Sequence, residues 1–239
     1  MPSSDWKYGL KLIGTPFSTF TRTIALGLHH KNIPFEQIAT KPRSEVAFHY
    51  HPFGYLPTLS IELDTGEIVN LSESQAIARF VERIVPSPSL ELDVPTVAVA
   101  PRTTSSGATL VLPEKVWEFA SLVGSFGFPI LEHGLVKPEV ALLDQGLQAP
   151  HLNFQDQNVA TAIDFLKKTE SWMKPNVKFA FGDQPTWADF YLYPILADLR
   201  ATSAKVIISD KLNAWLVNMD ALDAVKRTTA GTLSVGARP

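Results

Sequence analysis

The 239-residue chain contains no cysteine. That absence removes a cysteine nucleophile, a CxxC redox pair, thiolate metal sites and disulfides, and it leaves the cytoplasm as the expected location. Charge is also scarce. Charged residues make up 19%, the net charge is −3 and the pI is about 6.1. A nucleic-acid surface needs a basic stripe, so no nucleic-acid partner is expected. Long hydrophobic runs are missing too. The longest uncharged apolar run, Phe119 to Leu131, contains Gly124, Gly127 and Pro129 and is too short to span a bilayer. Met1 to Tyr8 lacks the apolar segment of a signal peptide, so neither leader nor membrane partner is expected. No internal repeat or low-complexity tract appears. What remains is a chain that is 45% apolar, enough for a sizeable core.

Residues 54–74 carry the densest pattern: Gly-Tyr-Leu-Pro-Thr-Leu-Ser-Ile-Glu-Leu-Asp-Thr-Gly-Glu-Ile-Val-Asn-Leu-Ser-Glu-Ser. Two alternating runs flank a turn at Asp64–Glu67, which predicts a hairpin. Pro57 opens the first run, where a residue without an N–H is tolerated. Ser72-Glu73-Ser74 then precedes Ala76, Ile77, Phe80, Val81 and Ile84, a capped helix start. An irregular backbone beside a helix N-terminus suits a small ligand with a peptide backbone and a carboxylate.

Upstream, Tyr8–Ile13 alternates as a strand. Gly14-Thr15-Pro16 turns the chain, and Ser18 or Thr19 can cap a helix running to about His30. Ile33–Ile38 reads as a second strand and closes a βαβ unit. Arg43–His49 is a short helix. The order within 8–85 is that of a small mixed sheet with helices on its faces, a thioredoxin-like α/β unit. After Val85, prolines punctuate a segment whose runs Thr96–Ala100 and Ala108–Leu112 predict an inserted hairpin. From Glu114 onward helical spacing dominates, with Trp187–Leu199 apolar on every side and so buried. The expected division is residues 1–86, a connecting segment 87–113 with the hairpin, and an all-helical unit 114–239.

This arrangement resembles the cytosolic glutathione transferases, and four stretches carry the resemblance. His51-Pro52-Phe53-Gly54-Tyr55-Leu56-Pro57-Thr58-Leu59 resembles the family's segment around its cis-proline. Leu71–Ile77 resembles its Glu/Gln-Ser glutathione motif. Lys31–Glu36 resembles the end of its first helix and the start of its second strand. Thr186-Trp187-Ala188-Asp189 resembles the buried capping box of its helical domain. The likeness covers 8–85 well, 114–225 loosely, and the segment between not at all.

The resemblance implies an enzyme that uses glutathione as co-substrate. Counting back from Lys31 puts Ser18 where serine-type members, among them a fungal class related to the β-etherases, carry their active serine. A thiol ionises near 8.5, and its thiolate is the nucleophile. A hydroxyl donating to sulfur at a helix N-terminus favours that anion. Ser18 would thus activate glutathione's thiol, with Thr15 and Thr19 as alternatives. By resemblance, Glu73 and Ser74 bind the γ-glutamyl end, and Leu56 pairs its main chain with the cysteinyl residue beside a cis Pro57. Tyr55 stands where many relatives carry lysine. The glycyl carboxylate must then turn to Lys41, Arg43, His49 or His51. His49 and His51 lack the carboxylate or thiolate neighbours of a metal site, and no metal is expected.

A second substrate is expected between the two units, in a pocket lined from Phe17, Phe20, Trp117, Phe119, Phe126 and Phe128. The expected partners are glutathione, small hydrophobic or aromatic molecules, and a second copy of the chain. Detoxifying conjugation of an electrophile is the leading function. A ligandin that holds aromatic compounds with little turnover is the alternative.

Overall fold

In the computed structural model, residues 8–92, 113–149 and 151–237 are described. The expected hairpin at 96–112 lies outside the described residues. The sheet is built from β1 (Gly9–Ile13), β2 (Glu36–Ile38), β3 (Thr58–Glu62) and β4 (Ile68–Ser72), in the order β2-β1-β3-β4. β1 runs parallel to β2 and antiparallel to β3, with Leu12 opposite Leu59, and β3 is antiparallel to β4. Parallel pairing needs a crossover, and α1 (Thr19–His30) supplies it. The hairpin turns where expected: Gly66 N–H donates to Leu63 O and Leu63 N–H to Glu67 O, both at 2.9 Å.

Two expected boundaries move for local reasons. The strand expected over Ile33–Ile38 pairs only at Glu36–Ile38. Pro34 has no N–H to give, and Ile33 N–H is spent closing α1 onto Leu28 O at 2.9 Å. The short helix expected at Arg43–His49 is α2, Glu45–Tyr50. Ser44 caps it by accepting from Ala47 N–H at 3.1 Å, and Arg43 has φ 60°, outside the helical region.

The helical unit opens with α4 (Glu114–Leu122), passes through a π-type stretch (Val123–Val136) and ends as α5 (Lys137–Asp144). Lys137 N–H reaching back five residues to Glu132 O marks the wider turn. The apolar run that looked too short in sequence is therefore part of 31 continuous helical residues, long and apolar enough by composition to cross a membrane. Here one side of that stretch packs against α6 (Gln157–Trp172) and α7 (Trp187–Arg200). Gly127 permits the approach, since a Cβ there would lie 2.7 Å from the Phe165 ring.

The centre of the molecule is α7, buried from Trp187 to Leu199 as its sequence implied. Its start is held by Asp189, which accepts from Thr186 N–H at 2.8 Å, Thr186 Oγ1 at 2.9 Å, Ala180 N–H at 2.7 Å and Trp215 Nε1 at 2.9 Å. α7 packs on α1, so the sheet unit and the helical unit share one core. α8 (Asp210–Asp220) and α9 (Asp223–Arg227) close the far side.

Candidate functional site

A cleft of about 1170 Å³ opens between the sheet unit and the π-type stretch. One wall carries Ser18, Tyr55, Leu56, Pro57, Glu73 and Ser74; the other carries Gly124, Phe128, Glu132, His133 and Lys137. Residues far apart in sequence converge because the end of β1 lies beside the start of β3, Ile13 opposite Thr58, so the loop that leaves β1 and the loop that enters β3 meet there.

Ser18 is the N-cap of α1. Its Oγ accepts from Thr21 N–H at 3.4 Å, and its carbonyl receives Arg22 N–H at 2.9 Å. Capping uses a lone pair and leaves the hydroxyl hydrogen free to donate into the cleft. The two readings of Ser18 are therefore compatible. Thr15 and Thr19 also line the cleft, but Thr15 Oγ1 is turned to Phe17 N–H at 3.3 Å and Thr19 is buried.

The Leu56–Pro57 peptide is cis. Neither main-chain group of Leu56 has a hydrogen-bond partner among the described residues, so both remain available at the cleft edge. Beyond the end of β4, Glu73 has φ 70° and ψ 116°, a conformation that costs a non-glycine residue roughly 1–3 kcal/mol. α3 (Ser74–Ile84) starts there without a side-chain cap, contrary to the capped start expected from Ser72-Glu73-Ser74. Its first-turn N–H groups, which have no partner four residues back, are left as an anion seat.

Five expectations are redrawn. Lys41 is exposed and lies off the cleft, and His49 is likewise absent from its lining. Arg43 and His51 do line it. The Arg43 guanidinium sits 5.9 Å from the centre of the Tyr55 ring, and His51 Nδ1 accepts from Phe53 N–H at 3.0 Å. Of the aromatic set, Phe17, Phe20 and Phe128 line the cleft, with Phe20 and Phe128 centroids 4.9 Å apart. Trp117 does not. It lies on the buried side of α4, with Nε1 donating to Glu91 at 2.8 Å and its ring stacked near Trp187. Phe119 is core and Phe126 faces outward. Helical spacing alone cannot tell which side of a helix meets a cleft rather than a neighbour.

Three groups escaped the sequence reading. Gln75 lines the cleft and donates from Nε2 to Ser121 Oγ at 2.9 Å, a bond between the two units. Glu132 lines the opposite wall at 4% exposure, with Oε1 unpartnered among the described residues. Burial, then the neighbouring Asp198 carboxyl, holds Glu132 well above the ordinary carboxylate range, while Lys137 opposes. Burial also pushes Asp198 up to about 7, with the Arg22 guanidinium opposing. The two carboxyls act on each other's ionisation behind the cleft. Tyr191, from the middle of α7, reaches the cleft beside Ser74, and burial pushes its phenol up. An apolar helix containing tyrosines was the available signal, because each phenol must be sent somewhere.

Comparison with known proteins agrees with this fold. Residues 17–84 match the family model of the glutathione S-transferase N-terminal domain, and residues 144–218 that of the C-terminal domain. Together the two matches span more than half of the chain, which belongs to the glutathione S-transferase family and is an enzyme of that class. It is similar to glutathione S-transferase F7 of Arabidopsis thaliana, 21% identical over 232 residues that cover 92% of this chain and 98% of the relative. The crystal structure of glutathione transferase F7 from Populus trichocarpa superposes with a TM-score of 0.66 at 22% identity, covering 92% of this chain and 97% of that one. Maleylacetoacetate isomerase from Anaeromyxobacter dehalogenans 2CP-1, crystallised with glutathione in its active site, gives 0.58 at 20% identity, covering 93% and 95%. Such structural likenesses carry the thioredoxin-like and all-helical architecture.

Proposed function

We propose that this transferase is of the serine type and that Ser18 activates the glutathione thiol for attack on a hydrophobic, aromatic electrophile. The observation that carries the reading is the position of Ser18: at the N-terminus of α1, on the cleft, with its hydroxyl hydrogen unused by the cap. A donated hydrogen bond and the positive helix end both favour the thiolate, and each unit by which the thiol pKa falls corresponds to roughly 1.4 kcal/mol. Leu56 offers main-chain groups to the cysteinyl residue. Glu73 takes the γ-glutamyl ammonium, and Ser74 with the uncapped start of α3 takes its carboxylate. Arg43 replaces Lys41 as the cation for the glycyl carboxylate, beside Tyr55 and His51. The Ser18-Thr19-Phe20 stretch and the proline-rich segment after Val85 favour the fungal, β-etherase-related class.

Phe17, Phe20 and Phe128 form the aromatic side of the electrophile pocket. The rings exposed around α2 and the loop after it, Phe48, Phe53 and Tyr55, favour a homodimer. The cleft volume supports the second reading, a ligandin, because about 1170 Å³ exceeds the roughly 300–1000 Å³ of most small-molecule sites.

The test is the ultraviolet thiolate band of bound glutathione, followed against pH in the wild type and in Ser18→Ala. The wild type is expected to ionise the thiol at least one unit lower. If both proteins bind glutathione and ionise it alike, serine activation is wrong. Tight binding of phenolic dyes without glutathione consumption favours the ligandin.

A further inference from the structure

The hydroxyl of Tyr191 is one of the few buried polar groups that the fold leaves unpartnered, and it is one that borders the cleft. Tyr191 is 1% exposed, yet its hydroxyl has no hydrogen-bond partner among the described residues. Buried phenols almost always find one, and an unmet buried donor costs folding free energy. The ring is fixed within α7 and packs toward Phe20, centroids 6.3 Å apart. Its oxygen therefore cannot swing away to solvent. It borders the cleft beside the Ser74 hydroxyl and within the field of Glu73. Burial keeps the phenol protonated, so it is a donor at any physiological pH.

Three features of different origin thus meet at one spot. The sheet unit brings the uncapped N-terminus of α3 and the carboxylate of Glu73. The helical unit brings a buried phenol that lies close to the Ser74 hydroxyl but makes no hydrogen bond of full geometry among the described residues. An amino-acid terminus supplies what is missing: an ammonium for Glu73 and a carboxylate for the N–H groups. We propose that Tyr191 is a ligand of the γ-glutamyl carboxylate, its O–H completing from α7 the anion seat that Ser74 and the first turn of α3 begin. This rests on the glutathione reading above. The helical unit then holds one end of the co-substrate directly, and binding draws α7 and α3 together.

Tyr191→Phe keeps the ring and removes the donor. A bond to a charged group is worth about ten- to a hundred-fold in affinity. Calorimetric titration with glutathione should therefore show the variant weakened at least ten-fold, while its melting temperature without ligand stays level or rises. With glutathione carrying an amide in place of the γ-glutamyl α-carboxylate, both proteins should bind alike. Equal glutathione affinities overturn the inference and leave the glutathione reading standing. A lower unliganded melting temperature makes the hydroxyl structural and also overturns it, as does a ten-fold difference that persists with the amide. Failure of the wild type to bind glutathione overturns both readings.

Discussion

Lys31 Nζ lies 3.0 Å from Glu82 Oε2, and the lysine side chain is wholly buried. The ammonium also donates to Val85 O at 2.7 Å and Pro88 O at 2.5 Å. Glu82 in turn accepts from Trp187 Nε1 at 3.1 Å and from Leu90 N–H at 3.2 Å. One carboxylate therefore ties α1, α3, the exit segment and α7 together. Removing one partner of a buried pair leaves an uncompensated charge, at a cost of about 3–5 kcal/mol. Glu82→Ala is expected to lower stability by that order in urea unfolding. A loss below about 1 kcal/mol would show that the pair is merely decorative.

Gly27 faces the Trp187 ring so closely that a Cβ would lie 2.1 Å from Cη2. Both residues sit at the α1–α7 seam, where no flexible end can yield. Gly27→Ala should destabilise by about 1–3 kcal/mol through forced displacement, even though alanine is the better helix former. Thermal unfolding decides, and an unchanged or raised melting temperature refutes the packing argument.

Ser18 should separate its two roles cleanly. The cap bond is long, 3.4 Å, so Ser18→Ala is expected to cost only about 0.5–1 kcal/mol of stability. Turnover of glutathione with an aryl electrophile should fall ten-fold or more, because the thiolate loses its donor. Retained turnover together with a large stability loss would reverse the assignment and leave Ser18 a cap alone.

Glu132 and Asp198 set a pH dependence. Burial raises both carboxyls above their unfolded values, Asp198 to about 7. The folded state thus holds protons that the unfolded chain releases near pH 4. Their contribution to stability is complete below that pH and declines as pH rises, that of Asp198 being gone above about 7. Charged neighbours are Arg22 on α1 and Lys137 on α5, with His133 beside Glu132 in the sequence. Glu132→Gln imitates the protonated form, so its stability relative to wild type should climb as pH rises above the ordinary carboxylate range, followed from about pH 4.5 upward. Parallel urea midpoints across that window would show that the pair carries no proton.

Asp189 accepts four hydrogen bonds while buried, and burial still pushes its carboxyl up. Asp189→Ala orphans donors from three segments at once. The loss should be about 3–5 kcal/mol, large enough to show as poor soluble yield or a much lower urea midpoint. A variant that unfolds like the wild type would mean that water replaces the carboxylate.

Local chemistry was legible in the chain. The hairpin at Gly66, the serine that opens α1, the Thr186–Asp189 box and the buried run from Trp187 depend on neighbours within a few residues, and periodicity and capping report those directly. Where a residue's meaning depended on a distant partner, the sequence was silent or misleading. Trp117 had the spacing of a pocket residue, yet packing against Trp187 took it into the core. Lys41 was as plausible a cation as Arg43 until the loop's backbone, with φ 60° at Arg43, decided which one borders the cleft. Glu132, Asp198 and Tyr191 look ordinary in sequence. Only the docking of the helical unit on the sheet removes water from them, and desolvation is what turns an ordinary carboxyl or phenol into a group with unmet chemistry. The absence of cysteine had already excluded a thiol of the protein's own; the tertiary structure decided which groups can surround one that is brought to it.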